Sequence, residues 1–199
     1  YRVSKKYADA LRQLMTKIQI EGAQTAMDKG DKSTALTSYL RVYNNAESTP
    51  SAKANAAYNL AALYYEAGDP GASYKWGVVA LQDMSAKEVK QFAASFLTIG
   101  TNLFLRQRFQ QSADMGMRTV AKLCAEGVAA KNTAFKNSAF LWLAEGQVNR
   151  TEEVLVLGQK CGIDETTLNE VRLELAKEYV KNKRWESLEQ IIIPVSNSK

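Results

Sequence analysis

Residues 175–188 read LAKEYVKNKRWESL, and residues 60–69 read LAALYYEAGD. Each stretch places a small residue directly after a leucine and an aromatic residue three positions further on, ahead of a polar turn. Small residues let two helices approach closely, and large ones fill the wider gaps beside them. Because the pattern recurs, it indicates repeated helix pairs, each of which buries its apolar face only against its neighbours.

The rest of the chain is also helical in pattern. Apolar residues recur three and four positions apart in almost every segment, and no window keeps the alternation of a strand. No apolar run reaches the roughly 18 residues of a membrane span. We therefore predict an all-α protein that does not insert directly into a membrane. The start on Tyr1 rather than Met predicts a fragment of a longer protein.

Capping residues mark the helix ends. Thr49-Pro50 and Asp69-Pro70 each place an N-cap before a proline at the first helical position. Ser85 and Glu88 form a capping box, which predicts one helix from about residue 86 to about residue 106. Further N-cap candidates are Thr133, Thr151 and Asp164. These signals predict five helix hairpins, roughly 4–46, 50–83, 86–126, 133–161 and 165–193, with turns near residues 30, 68, 107, 150 and 183.

The pattern resembles the tetratricopeptide repeat (TPR). The second unit carries it in Leu60, Ala61, Tyr64, Gly68, Asp69, Ser73, Gly77 and Ala80, and the fifth in Leu175, Ala176, Tyr179, Trp185 and Leu188. The first unit keeps Ala23, Gly30, Asp31, Ala35 and Tyr39, the third Ile99, Gly100, Leu103, Ser112 and Gly116, and the fourth little beyond Leu143 and Ala144. The resemblance implies a single TPR-like domain over residues 1–199, folded as a right-handed α-α superhelix.

In proteins of this family, the first helix of each pair lines a concave groove that holds a peptide or helix of a partner. The matching candidates are Asn55, Tyr58, Asn59 and Tyr65 in the second unit, Leu97, Thr101 and Phe104 in the third, and Leu141, Glu145 and Val148 in the fourth. The two asparagines lie one helical turn apart, so both amides can hydrogen-bond an extended backbone. Alternatively, the tyrosines pack against the neighbouring unit and the asparagines are only solvated.

No residue pattern indicates catalysis. The chain has no histidine, no Gly-rich phosphate loop and no metal-ligand spacing, so we predict no enzymatic activity, cofactor or metal. The acid pairs Glu152-Glu153 and Asp164-Glu165 are assigned to first helical turns, where carboxylates complement the helix dipole. For Cys124 and Cys161, buried free thiols are favoured over a disulfide between adjacent helices. The excess of 26 basic over 21 acidic residues is diffuse, so nucleic-acid binding is not expected.

The predicted function is a non-enzymatic scaffold that binds a partner protein or peptide, or a second copy through its terminal repeats. Bacterial repeats of this kind often belong to envelope, secretion or motility assemblies, and the Ala-, Gln- and Asn-rich composition is interpreted as bacterial. An alternative is an accessory or regulatory domain of a larger enzyme, with its partner in cis. A third is a basic solenoid that binds RNA or lipid. The sequence leaves the compartment open, cytoplasmic or periplasmic.

Overall fold

The computed structural model describes residues 5–124, 126 and 129–196, and over these residues it contains eleven helices and no strand. The helices are α1 (Lys5–Asp28), α2 (Lys32–Asn44), α3 (Pro50–Glu66), α4 (Pro70–Asp83), α5 (Ala86–Gln91), α6 (Ala93–Leu105), α7 (Phe109–Leu123), α8 (Ala129–Ala144), α9 (Val148–Lys160), α10 (Glu165–Lys181) and α11 (Trp185–Ser196). Five hairpins result from the pairing of α1 with α2, α3 with α4, α6 with α7, α8 with α9, and α10 with α11. The prediction of an all-α fold built of TPR-like hairpins is confirmed.

One turn geometry recurs inside all five hairpins. A residue with positive φ ends each first helix, and the five are Gly30, Gly68, Gln107, Gly146 and Lys183. The amide of the next residue donates to a carbonyl five positions back, as from Asp69 to Tyr64 at 2.9 Å. These are Schellman turns, spaced 38, 39, 39 and 37 residues apart. The regular spacing shows that the hairpins are repeats of one unit.

Most predicted caps are present. Thr49 accepts a hydrogen bond from the amide of Ala52 at 3.2 Å, and Asp69 accepts one from the amide of Ala72 at 2.9 Å. The capping box is reciprocal: the Ser85 amide donates to Glu88 Oε2 at 2.7 Å, and the Glu88 amide donates to Ser85 Oγ at 3.3 Å. Asp164 caps α10 in the same way. These local contacts set where the helices begin.

The single helix predicted for residues 86–106 is wrong, because α5 ends at Gln91 and α6 begins at Ala93. Between them the backbone of Phe92 turns to φ −101° and ψ 14°, and the Phe92 carbonyl accepts from the amides of Ser95 and Phe96. The capping box determines only where a helix starts. No change in side-chain spacing marks the break.

The turn predicted near residue 150 is also wrong. The turn of this hairpin lies at Gly146, whose φ of 69° is in the left-handed region. A glycine adopts this conformation without steric cost. Thr133 lies inside α8 and Thr151 inside α9, so neither is an N-cap. Thr151 is buried and donates its hydroxyl to the Gln147 carbonyl one turn back, at 3.2 Å. Counted back from Gly146, the small residue and the aromatic residue of the repeat pattern are Ala139 and Trp142. Leu143 and Ala144, which were predicted to belong to the pattern, do not hold these positions.

The chain divides into two compact units, residues 1–88 and 89–199. In the first, Tyr39 and Val42 of α2 and Leu60 of α3 are completely buried in one cluster. In the second, the core includes Phe135 of α8 and Val154 of α9. The single domain over residues 1–199 and the superhelix remain predictions. None of the described helices combines the length and the apolar composition needed to cross a membrane.

The cysteine prediction is wrong: Cys124 and Cys161 form a disulfide. Cys124 follows the last turn of α7 and Cys161 follows α9. Their Cα atoms are 4.5 Å apart, which lies within the range that a disulfide spans. The two residues are separated by 37 positions, close to one repeat. Second helices of neighbouring hairpins lie side by side, and so their ends meet.

Because of Tyr39, we expect the free energy of unfolding of the first unit to fall as the pH rises into the alkaline range. Burial, with the charge of Asp28 as a smaller cause, raises the pKa of Tyr39 from 10.0 to about 12. The neutral phenol is therefore favoured in the folded state, and its contribution is complete below pH 10 and is lost as the pH rises towards 12. We expect Tyr39→Phe to lose less stability than the wild type between pH 9 and 12, measured by urea unfolding. Equal slopes for both proteins would contradict this linkage.

Candidate partner-binding site

Three helices of the second unit, α6, α7 and α8, enclose a cleft of about 290 Å³. One wall is formed by Leu97, Thr101 and Phe104 of α6, and the opposite wall by Phe140 and Leu141 of α8. Leu97, Thr101 and Phe104 lie one helical turn apart on α6. On α8, Asn137 lies one turn before Phe140 and Leu141, so each set borders the cleft from one side of its helix. Two consecutive repeats therefore contribute their first helices to one depression.

The floor of the cleft is made of small residues, which bring the helices close together. Ser112 of α7 donates to the Gly100 carbonyl of α6 at 2.7 Å. On the other side, Ser138 of α8 donates to the Ala113 carbonyl of α7, also at 2.7 Å. A Cβ atom added to Gly116 would lie 2.9 Å from the Ala134 carbonyl oxygen. A larger residue at that position would force α7 and α8 apart, so the shape of the floor depends on this glycine.

The lining of the cleft is uncharged and mostly apolar. Its threonines already donate within their own helices, Thr101 to the Leu97 carbonyl at 3.0 Å and Thr119 to the Met115 carbonyl at 2.8 Å. Asn137 is exposed at the rim. A cleft of about 290 Å³ has room for one or two apolar side chains. Among the described residues that line it, none can attract a ligand by charge.

All three candidate residues from the third unit lie at this cleft. Phe104 exposes 45% of its surface at the edge of this apolar cleft. Leu97 is half-buried, and Thr101 is exposed. Phe104 also contacts the ring of Phe109, with 5.4 Å between the centroids. Their binding role remains a proposal, but the structure brings them together.

The candidates from the second unit lie on α3, in the first compact unit, and all four are half-buried. The Asn59 side-chain amide donates to both the carbonyl and the side-chain oxygen of Asn55, at 3.0 Å each. The two amides are therefore paired with each other, and a peptide backbone would have to compete with that contact. Asn55 also borders a shallow depression shared with Thr16 and Ile20 of α1.

Phe140 and Asn137 were missed as candidates because the fourth turn was predicted four residues too late. Counted from Gly146, Phe140 precedes the turn by six residues and falls on the same helix as the rest of the wall. The signal was present in the sequence. Trp142 followed four positions later by Gly146 repeats the relation of Tyr64 to Gly68.

Glu152 and Glu153 do not cap a helix, which corrects the sequence prediction. Both lie in the second turn of α9, and Glu153 pairs with Arg150 at 2.7 Å. Glu152 accepts the hydroxyl hydrogen of the buried Tyr179 and pairs with Arg184 at 3.2 Å. Burial first, and then the Glu152 contact, raise the pKa of Tyr179. The cluster connects α9 to α10 and the turn after it, and we assign it a structural role.

Comparison with known proteins places few constraints on function. No protein-family model matches the chain, and no curated protein matches it. The solved structures that are similar include a candidate kinesin light chain from Podosopora anserina with nearly identical TPR-like repeats, and a single-substitution variant of it. Each is 16% identical and has a TM-score of 0.41, over 90% of this chain and 92% of that chain. The repeat architecture of this protein follows from its own helix pairs and turns.

Proposed function

We propose that this protein is a non-enzymatic protein-interaction module that holds an apolar side chain of a partner segment in the cleft between α6 and α8. One observation carries the proposal: Phe104 stands 45% exposed at the edge of an uncharged, apolar cleft. A side chain that enters the cleft covers Phe104 and displaces poorly held water. Peptide segments with a Phe, Leu, Met or Trp anchor fit this chemistry best.

The energetics predict a modest affinity for a single anchor. Burying one large apolar side chain contributes about 1.5–3 kcal/mol, which cannot by itself offset the cost of association. Additional contacts are therefore needed outside the cleft. Within the first unit, the amide pair and the tyrosines of α3, namely Asn55, Tyr58, Asn59 and Tyr65, are proposed as partner-contacting residues in their own right.

The proposal is tested by screening a displayed library of random peptides against the full chain. We expect enriched sequences to share one or two apolar anchors at a fixed spacing. For an enriched peptide, Phe104→Ala should weaken binding by about 10-fold to 100-fold, the equivalent of one lost apolar contact. The affinity is measured by fluorescence anisotropy, and the fold of each variant by circular dichroism.

Leu105 provides a matched control, because it is adjacent in sequence and 66% exposed but does not line the cleft. Leu105→Ala should change the affinity by less than about twofold, since it removes apolar area away from the binding face. If the peptides bind equally well to Phe104→Ala and to wild type, the cleft is not the site. No enrichment at all would favour the accessory domain with a partner in cis.

We further infer that the module works in an oxidising compartment. Disulfides persist in secreted and periplasmic proteins and are rare where glutathione keeps thiols reduced. The disulfide between Cys124 and Cys161 supports the periplasmic alternative over the cytoplasmic one. When the protein is isolated from its source in the presence of an alkylating reagent, both cysteines should escape alkylation and react only after reduction, as measured by mass spectrometry. Alkylation of Cys124 and Cys161 before reduction would contradict the inference.

A further inference from the structure

Helix α1 exposes a continuous apolar stripe on the side opposite its packed face. The stripe consists of Tyr7, Leu11, Leu14 and Ile18, with Met15 beside it, and these side chains are 52–70% exposed. The packed face, by contrast, carries the buried Thr16, Ala23 and Ala26. Monomeric proteins rarely leave so large an apolar patch in water without a function.

The repeat itself shows what this face accommodates. Ile18 lies 12 residues before the left-handed residue of its turn, and the half-buried Ser95 holds the same position in the third repeat. In the second, fourth and fifth repeats the position is held by Ala56, Ala134 and Val171, and these three are completely buried. Ala134 faces Gly116 of α7, which is the second helix of the preceding hairpin. The equivalent face of α1 is therefore shaped to receive a helix, and no described helix covers it.

Helix α1 also extends beyond the helix it pairs with. It has 24 residues and α2 has 13, so their lengths are about 36 Å and about 20 Å at 1.5 Å per residue. Since α2 runs back antiparallel from Lys32, the part of α1 before about residue 16 extends past its end. A helix from another molecule can reach this segment without meeting α2.

We propose that the α1 stripe is a self-association surface on which the α1 helix of a second copy packs antiparallel. The spacing of the stripe is 4, 3 and 4 residues, which is the spacing of a coiled-coil seam. Two identical stripes of this kind fit each other when Leu11 of one copy lies beside Leu14 of the other, and Tyr7 beside Ile18. Across the described residues, the remaining exposed large hydrophobic side chains occur singly or in pairs, so α1 is its own best complement.

Charge supports the antiparallel direction. The residues that flank the seam include Ala8 and Ala10, which allow close approach, and the only charged one is Lys17, paired with Glu21 at 3.7 Å. Antiparallel packing brings the end of α1 that carries Lys6 near the end of the second copy that carries Glu21. Parallel packing would instead place the two Glu21 carboxylates side by side, because Glu21 lies three residues after Ile18 and continues the spacing of the seam.

The area is sufficient for a weak dimer. Five large side chains about 60% exposed present roughly 600 Å² per copy, taking about 200 Å² for each when fully exposed. The dimer would bury about 1,200 Å² in total, at the lower limit of stable interfaces. We expect a concentration-dependent dimer with a dissociation constant in the micromolar range.

Sedimentation velocity of the full chain over a concentration series tests the proposal. The wild type should shift from monomer to dimer, and Leu11→Glu with Leu14→Glu should weaken association at least 10-fold while the helix content is kept. The matched control is Leu173→Glu on α10, since Leu173 is 59% exposed outside the stripe, and this variant should associate as the wild type does. A wild type that stays monomeric up to about 1 mM, or a double variant that associates equally, would overturn the proposal.

Chemical cross-linking tests the direction with a short bismaleimide, which reacts with introduced thiols and leaves the native disulfide intact. Mixed Tyr7→Cys and Ile18→Cys chains should cross-link more efficiently than either variant alone. Antiparallel packing places these two positions side by side and separates two copies of the same position by about 16 Å along the helix axis. Efficient cross-linking of Ile18→Cys alone would contradict the antiparallel arrangement.

Discussion

Replacing Cys124 with alanine should lower the free energy of unfolding by about 4 kcal/mol. The disulfide closes a loop of 37 residues, and the loss of chain entropy in the unfolded state rises slowly with loop length, from about 3 kcal/mol for 15 residues to about 4.7 for 100. Native domains of this size have only about 5–15 kcal/mol of stability. The second unit should therefore be much closer to unfolding without this bond.

The measurement is equilibrium unfolding in guanidinium chloride, followed by circular dichroism. Cys124→Ala, Cys161→Ala and the double variant should lose the same amount, because either substitution removes the one bond. A reducing agent should destabilise the wild type by a similar amount and leave the double variant unchanged. If reduction has no effect on the wild type, the cysteines are free thiols and the inference of an oxidising compartment also fails.

Gly158→Ala should destabilise the second unit by about 1–3 kcal/mol, although alanine is the better helix former. A Cβ atom at this position would lie 2.4 Å from Cε2 of the Phe135 ring. Phe135 is completely buried, so its ring has no free space into which to move. The overpacking therefore outweighs the gain in helix propensity.

Gly22 is the matched control for this substitution. It lies inside α1 with no atom within 4 Å of an added Cβ, so Gly22→Ala should stabilise the protein by about 0.5–1 kcal/mol. Combining Gly158→Ala with Phe135→Ala should cost at least 1 kcal/mol less than the sum of the single substitutions, because the new methyl group enters the space that the ring leaves. Additive losses would show that Gly158 and Phe135 do not pack against each other.

The capping pattern predicted helix starts well where the cap is local. Asp69 and Ser85 bond to amides three residues away, so their role depends only on nearby sequence. Thr151 failed as a cap because a threonine also bonds back to a carbonyl within a helix, and sequence spacing does not separate the two roles. That one error moved the fourth turn away from Gly146 and hid Phe140 from the predicted site.

The sequence predicted one wall of the candidate site in full, but only Leu141 of the opposite wall. The register of α6 relative to its turn placed Leu97, Thr101 and Phe104 on one helix face, and the structure places them at one cleft. The opposite wall and the floor depend on how closely α7 and α8 approach, which Gly116 decides through a contact with Ala134. The pairing of Asn55 with Asn59 was not predicted either, because a spacing of one turn is equally compatible with two free amides.

By itself, the sequence determined the helical class and four of the five hairpin turns, since helix periodicity, N-caps and left-handed residues act within a few positions of one another. The tertiary structure alone decided the disulfide, the contact of Gly158 with Phe135, and the apolar cleft. Each of these joins residues on different helices, at least 12 positions apart, which meet only because the helices lie side by side. Local sequence shows which face of a helix is apolar, but the packing of whole helices determines which distant side chain meets it.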